Sequence, residues 1–154
     1  MNNEITIREI TGNDADLVNE FFDAMGPESR AFVNRGDGNR RGILRYVNGE
    51  TENCIAWMAV ENGKMVGLVW LWDLNKRIPW LGIAVGEKIK GKGLGGKLLA
   101  QAENYASDLG YGGIFLTTHT ANLRGQVAYE KAGFEKLGLH CGSMEFLYIR
   151  RFDR

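Results

Sequence analysis

Cysteine is scarce: Cys54 and Cys141 are the only two in 154 residues. That excludes a disulfide framework and leaves too few thiols for a structural zinc site, so no metal is expected and a reducing cytoplasm is the expected setting. An excess of one charge is also missing. Lys+Arg and Asp+Glu are each 19, so no global field draws the chain to nucleic acid or to a membrane, and any basic site has to be local. No apolar run approaches membrane length, and "MNNEITIREI" lacks the charged-then-apolar pattern of a secretory leader. Repeats, low-complexity tracts and a linker are absent too. What remains, 44% hydrophobic and 25% charged, is the profile of one globular domain spanning residues 1–154.

The pattern along the chain alternates between strand and helix signals. "NEITIREI" sets Ile5, Ile7 and Ile10 against polar neighbours, as a half-buried strand does. From Asp14 to Met25 the apolar spacing turns helical, with Asn13 or Asp14 as the cap, and a second helical segment lies within 27–48, broken by "RGDGNRRG". Two apolar runs flank Asn62-Gly63, the strongest two-residue hairpin signal. "IPWLGIAV" is a further strand. Leu94, Leu98, Leu99, Ala102, Ala106 and Leu109 then repeat at helical spacing up to Gly110. "GGIFLTTH" reads as a buried strand, "NLRGQVAYEKAG" as a helix from an Asn122 cap to a Gly133 stop, and "SMEFLYIRRF" as a closing strand. The order is β-α-α-β-β-β-α-β-α-β, with room for one more strand over 134–140. Antiparallel strands followed by one β-α-β crossover make an α+β fold with a mixed sheet.

Between the third hairpin-side strand and the long helix lies "KIKGKGLGGKLL", residues 88–99, with four lysines and four glycines in twelve positions. Three phosphate-loop templates fit it. Gly91, Gly93 and Gly96 satisfy G-x-G-x-x-G, but Gly86 to Lys90 separate them from the strand, and the next strand ends in "LTTHT" with no acid for a ribose. Gly91, Gly96 and Lys97 open a G-x-x-x-x-G-K loop, but Leu98 stands where a magnesium-holding Ser or Thr is needed. The third template is Lys90-x-x-Gly93-x-Gly95, in which glycines let the backbone close on a pyrophosphate at a helix N-terminus. Glycine costs stability in a helix's first turn, so a cluster there is hard to justify as a plain turn.

"LGIAVGEKIKGKGLGGKLL" resembles the acetyl-CoA motif of the GNAT superfamily of N-acetyltransferases, a strand followed by (Arg/Gln)-x-x-Gly-x-(Gly/Ala) and a helix. "NLRGQVAYEKAGF" resembles that family's second motif, an Asn with a Tyr seven residues on. Both occur in order, and the element order agrees over most of the chain. Lys90 stands where Arg or Gln is usual, a change that a cradle made of backbone tolerates.

The resemblance implies a GNAT-like sheet whose central parallel strands, 80–85 and 113–118, splay apart to admit acetyl-CoA, with helices flanking. It implies that backbone groups of Ile83, Ala84 and Val85 pair with the pantetheine, with the Val85 N–H polarising the thioester carbonyl. It places the pyrophosphate on Lys90, Gly91, Lys92, Gly93, Leu94, Gly95 and Gly96, gives Asn122 a cofactor contact, and makes Tyr129 the acid that protonates the departing thiolate. As a helix cap Asn122 and as a core aromatic Tyr129 also have plain structural readings. The general base has no signal on the strand, because Leu81 and Gly82 stand where many relatives carry Glu. Asp73 is the first choice, with Glu61, Glu145, His119 or a water as alternatives.

The activity implied is acetyl transfer from acetyl-CoA, as co-substrate, to a primary amine by direct attack. Neither cysteine has a base beside it that would support an acyl-enzyme. The acceptor expected is a small-molecule or peptide amine, with a second copy of the chain as the protein partner admitted; no nucleic acid and no membrane are expected. Trp70, Trp72 and Trp80 fall on strands that would line the acceptor side, where core packing is the competing explanation. The five arginines of "RAFVNRGDGNRRGILR" read as a solvated loop. Two other classes stay open: a module of the same fold that binds acetyl-CoA without chemistry, and a P-loop nucleotide binder.

Overall fold

The structure, a computed structural model, describes residues 4–152. Strand β1 (Thr6–Glu9) leads into three helices, α1 (Ala15–Asp23), α2 (Pro27–Val33) and α3 (Gly38–Val47). The antiparallel run β2 (Ile55–Glu61), β3 (Lys64–Trp72) and β4 (Trp80–Val85) follows. The chain then passes through α4 (Leu94–Asp108), β5 (Gly113–Thr118), α5 (Leu123–Lys131), β6 (Glu135–His140) and β7 (Glu145–Arg151). All seven strands join one sheet in the order β1-β2-β3-β4-β5-β7-β6, and β4–β5 is its parallel pair. The fold is α+β with a mixed sheet, and the additional strand over 134–140 is present as β6.

Local chemistry explains the breaks. Asn62 and Gly63 both take positive φ, 52° and 74°, which matches the twist of the β2–β3 hairpin they connect. Gly36 and Asp37 are also left-handed, at 64° and 63°, so the helical segment expected within 27–48 becomes two helices, α2 and α3. Asp14 stands at the start of α1 without capping it. Its carboxylate is instead held by the Arg8 guanidinium at 2.8 and 2.9 Å and by the Thr11 N–H at 2.7 Å, which ties α1 to the end of β1. Gly110 closes α4 at φ 86°, but Leu109 is exposed, so the apolar face of that helix ends at Ala106 rather than Leu109.

The period of two sorts the strands between two cores. Trp57, Val69, Leu71, Leu81, Ile114, Leu116 and Tyr148 face α4, packing on Leu98, Leu99, Ala102 and Ala106. Ala56, Met58, Leu68, Trp70 and Ala84 face the other way, onto Val18, Phe22, Ile43 and Val47 of α1 and α3. Each fully buried aliphatic side chain adds about 1.5–3 kcal/mol of burial, so both faces are strongly specified. Gly82 is forced by this packing: a Cβ there would stand 2.2 Å from the Trp70 indole, which lies across β4. No helix among the described residues is long and apolar enough to cross a membrane.

Candidate active site

Strands β4 and β5 pair at one position, Trp80 opposite Phe115, where the Phe115 N–H donates to the Pro79 carbonyl at 2.9 Å. Beyond it the described strands share no further pairing. At the other end of β4 the Gly86 N–H donates to Val66 of β3 at 2.8 Å. Strand alternation read from both ends turns the polar backbone of Leu81, Ile83 and Val85 towards β5, and that of Gly82 and Ala84 towards β3. Ile83 and Val85 therefore offer N–H and C=O groups to the gap, whereas Ala84 lines it without a free backbone group.

A cavity of about 1090 Å³ fills this gap and continues over the N-terminus of α4. Ile83, Ala84, Val85 and Lys90 line it, together with Gly91, Gly93, Leu94, Gly95 and Gly96, and with Asn122 and Tyr129 from α5. Lys92 does not; it lies in a second depression with Lys64 and Lys88 on the far side of the loop. Gly91 and Gly93 take φ of 84° and 82°, which only glycine adopts readily, and no side chain caps the first N–H groups of α4. A Cβ at Gly95 would meet only Val85, at 3.9 Å, and one at Gly96 would meet no protein atom within 4 Å. Protein packing therefore does not require glycine at either position. The space a Cβ would take belongs to the cavity, and uncapped N–H groups facing it suit a pyrophosphate.

Lys90 is committed elsewhere. Its Nζ donates to Ser29 Oγ at 2.6 Å and lies 3.5 Å from Glu87 Oε2. Ser29 Oγ donates in turn to Glu87 Oε1, which also accepts from the Gly26 N–H at 3.2 Å. The bond from Ser29 holds the Glu87 carboxyl below the usual range. The loop is thus laced to α2, and Ser29 and Phe32 of that helix line the cavity. Arg124 supplies the cation that sequence reasoning missed. Its guanidinium lies 3.6 Å from where a Gly91 Cβ would be, on the cavity wall, and it has no salt bridge among the described residues. Nothing in its spacing marks it, because the crossing of α5 over the loop is tertiary.

On α5, Asn122 Oδ1 accepts from the Gly125 N–H at 3.1 Å, so the cap is real, and its Nδ2 donates to Thr118 Oγ1 at 3.1 Å. Gly125 makes room for this: a Cβ there would stand 2.5 Å from Asn122. Thr118 also hydrogen-bonds Tyr129, whose ring is buried against Phe134 and Tyr148. Burial pushes the Tyr129 hydroxyl up to about 12, against the opposing pull of Thr118. It holds its proton throughout the neutral range.

The base candidates are scattered. Asp73 ends β3 in a left-handed turn, φ 59°, and lies off the cavity wall. Glu61 is in the second depression. His119 follows β5, its Nδ1 accepting from the Ala121 N–H at 3.0 Å and its ring 5.0 Å from Phe32. Glu145 opens β7 close enough to Tyr129 to push the hydroxyl further up. Of the tryptophans, Trp70 is buried in the core, while Trp80 is half-buried and Trp72 exposed.

The model of the acetyltransferase (GNAT) family matches residues 16–134. The acetyltransferase of GNAT family from Streptococcus pneumoniae is similar at 26% identity and TM-score 0.76, over 97% of this chain and 100% of that one. PaiA N-acetyltransferase from Thermoplasma acidophilum, solved with coenzyme A, shares the fold at 18% identity and TM-score 0.77, covering 97% and 99%. AAC(6')-Ib, solved with ribostamycin and coenzyme A, does so at 20% identity and TM-score 0.76, covering 96% and 93%. The matched span runs from α1 to Phe134 and contains the splayed strands, the glycine cradle and Tyr129, and the chain belongs to the GNAT family of acetyltransferases.

Proposed function

We propose that the protein moves an acetyl group from acetyl-CoA to a primary amine by direct attack, within one domain and in the cytoplasm. The observation that carries this reading is the gap between β4 and β5, with Ile83 and Val85 N–H groups turned into it and the uncapped glycine N-terminus of α4 at its mouth. Two fold neighbours solved with coenzyme A support it. Acetyl-CoA would supply an activated thioester. The Leu94, Gly95 and Gly96 N–H groups would hold its pyrophosphate, with Arg124 adding charge in the place the sequence assigned to Lys90. Ile83 and Val85 would pair with the pantetheine, and the Val85 N–H would polarise the carbonyl. Tyr129, kept protonated by burial, would give its proton to the leaving sulfur.

The second reading, a module that binds acetyl-CoA without chemistry, is favoured by one observation. The Trp70 indole occupies the place of any side chain at Gly82, so β4 cannot carry a carboxylate there. A thermal-shift panel separates the readings. Acetyl-CoA and CoA should stabilise the protein while ATP and NAD do not, since a ligand of the native state raises the melting temperature by mass action. Release of CoA thiol in the presence of an amine then distinguishes catalysis from sensing. Equal shifts with ATP and acetyl-CoA would count against the GNAT ligand, and stabilisation by NAD alone would overturn it.

A further inference from the structure

On the face of the sheet away from α4, the cross-strand pair Trp72 and Trp80 stacks at 6.4 Å and 15°, and Trp80 meets Phe115 at 5.0 Å. Trp70 backs this row from the core, 6.2 Å from Trp72. Trp72 is 37% exposed, which for an indole leaves a broad apolar surface open to solvent. Trp80 and Phe115 also mark the closed end of the gap, the point from which β4 and β5 part, so the row lies across its apex.

The β6–β7 hairpin closes the same place. The His140 ring packs edge-on against Trp80 at 5.8 Å, and Glu145 is the cross-strand partner of His140. The register of β7 against β5 pairs Phe146 with Thr118, the residue whose side chain bonds Tyr129. Tyr148 and Phe146 face α4 and α5, so strand alternation turns Glu145 the other way, to the tryptophan side. Glu145 and Tyr129 therefore stand on opposite faces of the sheet beside the end of β5, next to Thr118, and the carboxylate is near enough to raise the hydroxyl's pKa. Glu145 makes no salt bridge among the described residues. A negative charge at the end of an aromatic row complements an ammonium on an apolar body: rings attract the cation by their faces and the body by contact.

We infer that Trp72, Trp80 and Phe115, closed by His140 and Glu145, form the acceptor site, that it takes a primary ammonium carried on a flat apolar group, and that Glu145 removes the ammonium proton. The inference rests on the acetyl-transfer reading. One proton passes from nitrogen to Glu145. The N–C bond then forms as the C–S bond breaks, the sulfur leaves with the Tyr129 proton, and the remaining excess proton on nitrogen returns through solvent to Tyr129. Glu145 releases its proton to water, so the ammonium and the thioester end as amide, thiol and one free proton. Acid and base work from opposite faces, as the separate arrival of the amine and departure of the thiol require.

The test measures thiol release with three acceptors: 2-phenylethylamine, a lysine-containing peptide and the aminoglycoside ribostamycin. 2-Phenylethylamine should give the highest kcat/KM. Trp72→Ala should raise its KM about 10-fold with acetyl-CoA affinity unchanged. Glu145→Gln should lower kcat about 10²–10³-fold. That loss should shrink for the β,β-difluoro analogue, whose amine is already neutral at the assay pH; a structural role for Glu145 would not produce this. Turnover of ribostamycin or the peptide in preference, with Trp72→Ala silent, overturns the aromatic site and leaves acetyl transfer standing. An unchanged kcat in Glu145→Gln overturns the base. Absence of thiol release with all three, in a protein that acetyl-CoA stabilises, overturns both this site and the transferase reading.

Discussion

Tyr129 is where the proposed chemistry meets the packing of α5. Its hydroxyl is bonded by Thr118, and its ring contacts Phe134 and Tyr148 at 6.3 and 5.9 Å. Tyr129→Phe keeps the ring and deletes the hydroxyl. We expect kcat to fall by about 10²–10⁴-fold, nearer the lower end because a thiolate leaves readily, with acetyl-CoA affinity little changed. The lost hydrogen bond should lower stability by about 1 kcal/mol, a few degrees in Tm. Steady-state kinetics and a thermal melt check both. The sign of the pH effect follows from burial. The folded hydroxyl sits at about 12 against 10 for a free one, so the folded state favours the protonated form. Its contribution to stability is complete below pH 10 and is lost as pH rises through 12. The acid arm of the pH–rate profile should likewise stay intact through the neutral range. A rate that declines between pH 7 and 8 and loses that decline in Tyr129→Phe would contradict the assignment.

At the scale of elements, α4 and the junction of β1 with α1 each carry a prediction. Gly95 lies in the first turn of α4 at ordinary helical φ, and a Cβ there clashes with nothing. Gly95→Ala should therefore stabilise the free protein by about 0.5–1 kcal/mol and leave acetyl-CoA binding in place, since the family motif admits Ala there. The branched side chain of Gly95→Val should instead fill the cradle and remove binding from a protein that still folds. Melting curves with and without acetyl-CoA should show a ligand shift in the first variant and none in the second; an unchanged shift in Gly95→Val would reduce the loop to a turn. Gly93→Val differs in kind. Its φ of 82° costs a branched residue about 1–2 kcal/mol, so that variant should lose both stability and ligand. At the other junction, the Arg8 guanidinium, helped by Thr11, holds Asp14 at about 2 against 3.8 for a free carboxyl. This stabilisation is present above pH 4 and is lost as pH falls through 2. Allowing for the solvent around half-exposed Arg8, it amounts to about 1–2 kcal/mol. Urea melts at falling pH should show the loss, and Asp14→Asn should remove that part of the acid dependence.

For the molecule as a whole, the splay means that the sheet is continuous through β3 and interrupted at its centre. The amides of Gly82 and Ala84 are turned to β3, whereas those of Ile83 and Val85 are turned to the gap. Native-state hydrogen exchange should show slow Gly82 and Ala84 beside faster Ile83 and Val85, with the latter pair slowed by acetyl-CoA. Uniform protection along β4 without ligand would mean that the strands close when the gap is empty.

The sequence by itself determined the elements and the glycine-rich loop, because both are written in short-range chemistry. Asn62-Gly63 makes its turn from two residues' φ values, the limits of β4 and β5 follow from contiguous apolar runs, and the glycines of 91–96 announce a backbone approach wherever they are placed. Asn122 reads as a cap because its partner is three residues away. What only the tertiary structure decided are the encounters between distant segments. Lys90 reads as a phosphate ligand until Ser29, 61 residues away, joins the nearby Glu87 in holding its ammonium. Arg124 reads as a surface residue of a helix until α5 sets it over Gly91. His140 and Trp80 come together through the β6–β7 hairpin, which brings Glu145 alongside as the cross-strand partner of His140, and Asp73, close to Trp80 in sequence, does not line the cavity, nor does Glu145. Local propensity and spacing act over a few residues, whereas the charge environment of a site is summed over every element packed around it, and that sum exists only once the chain is folded.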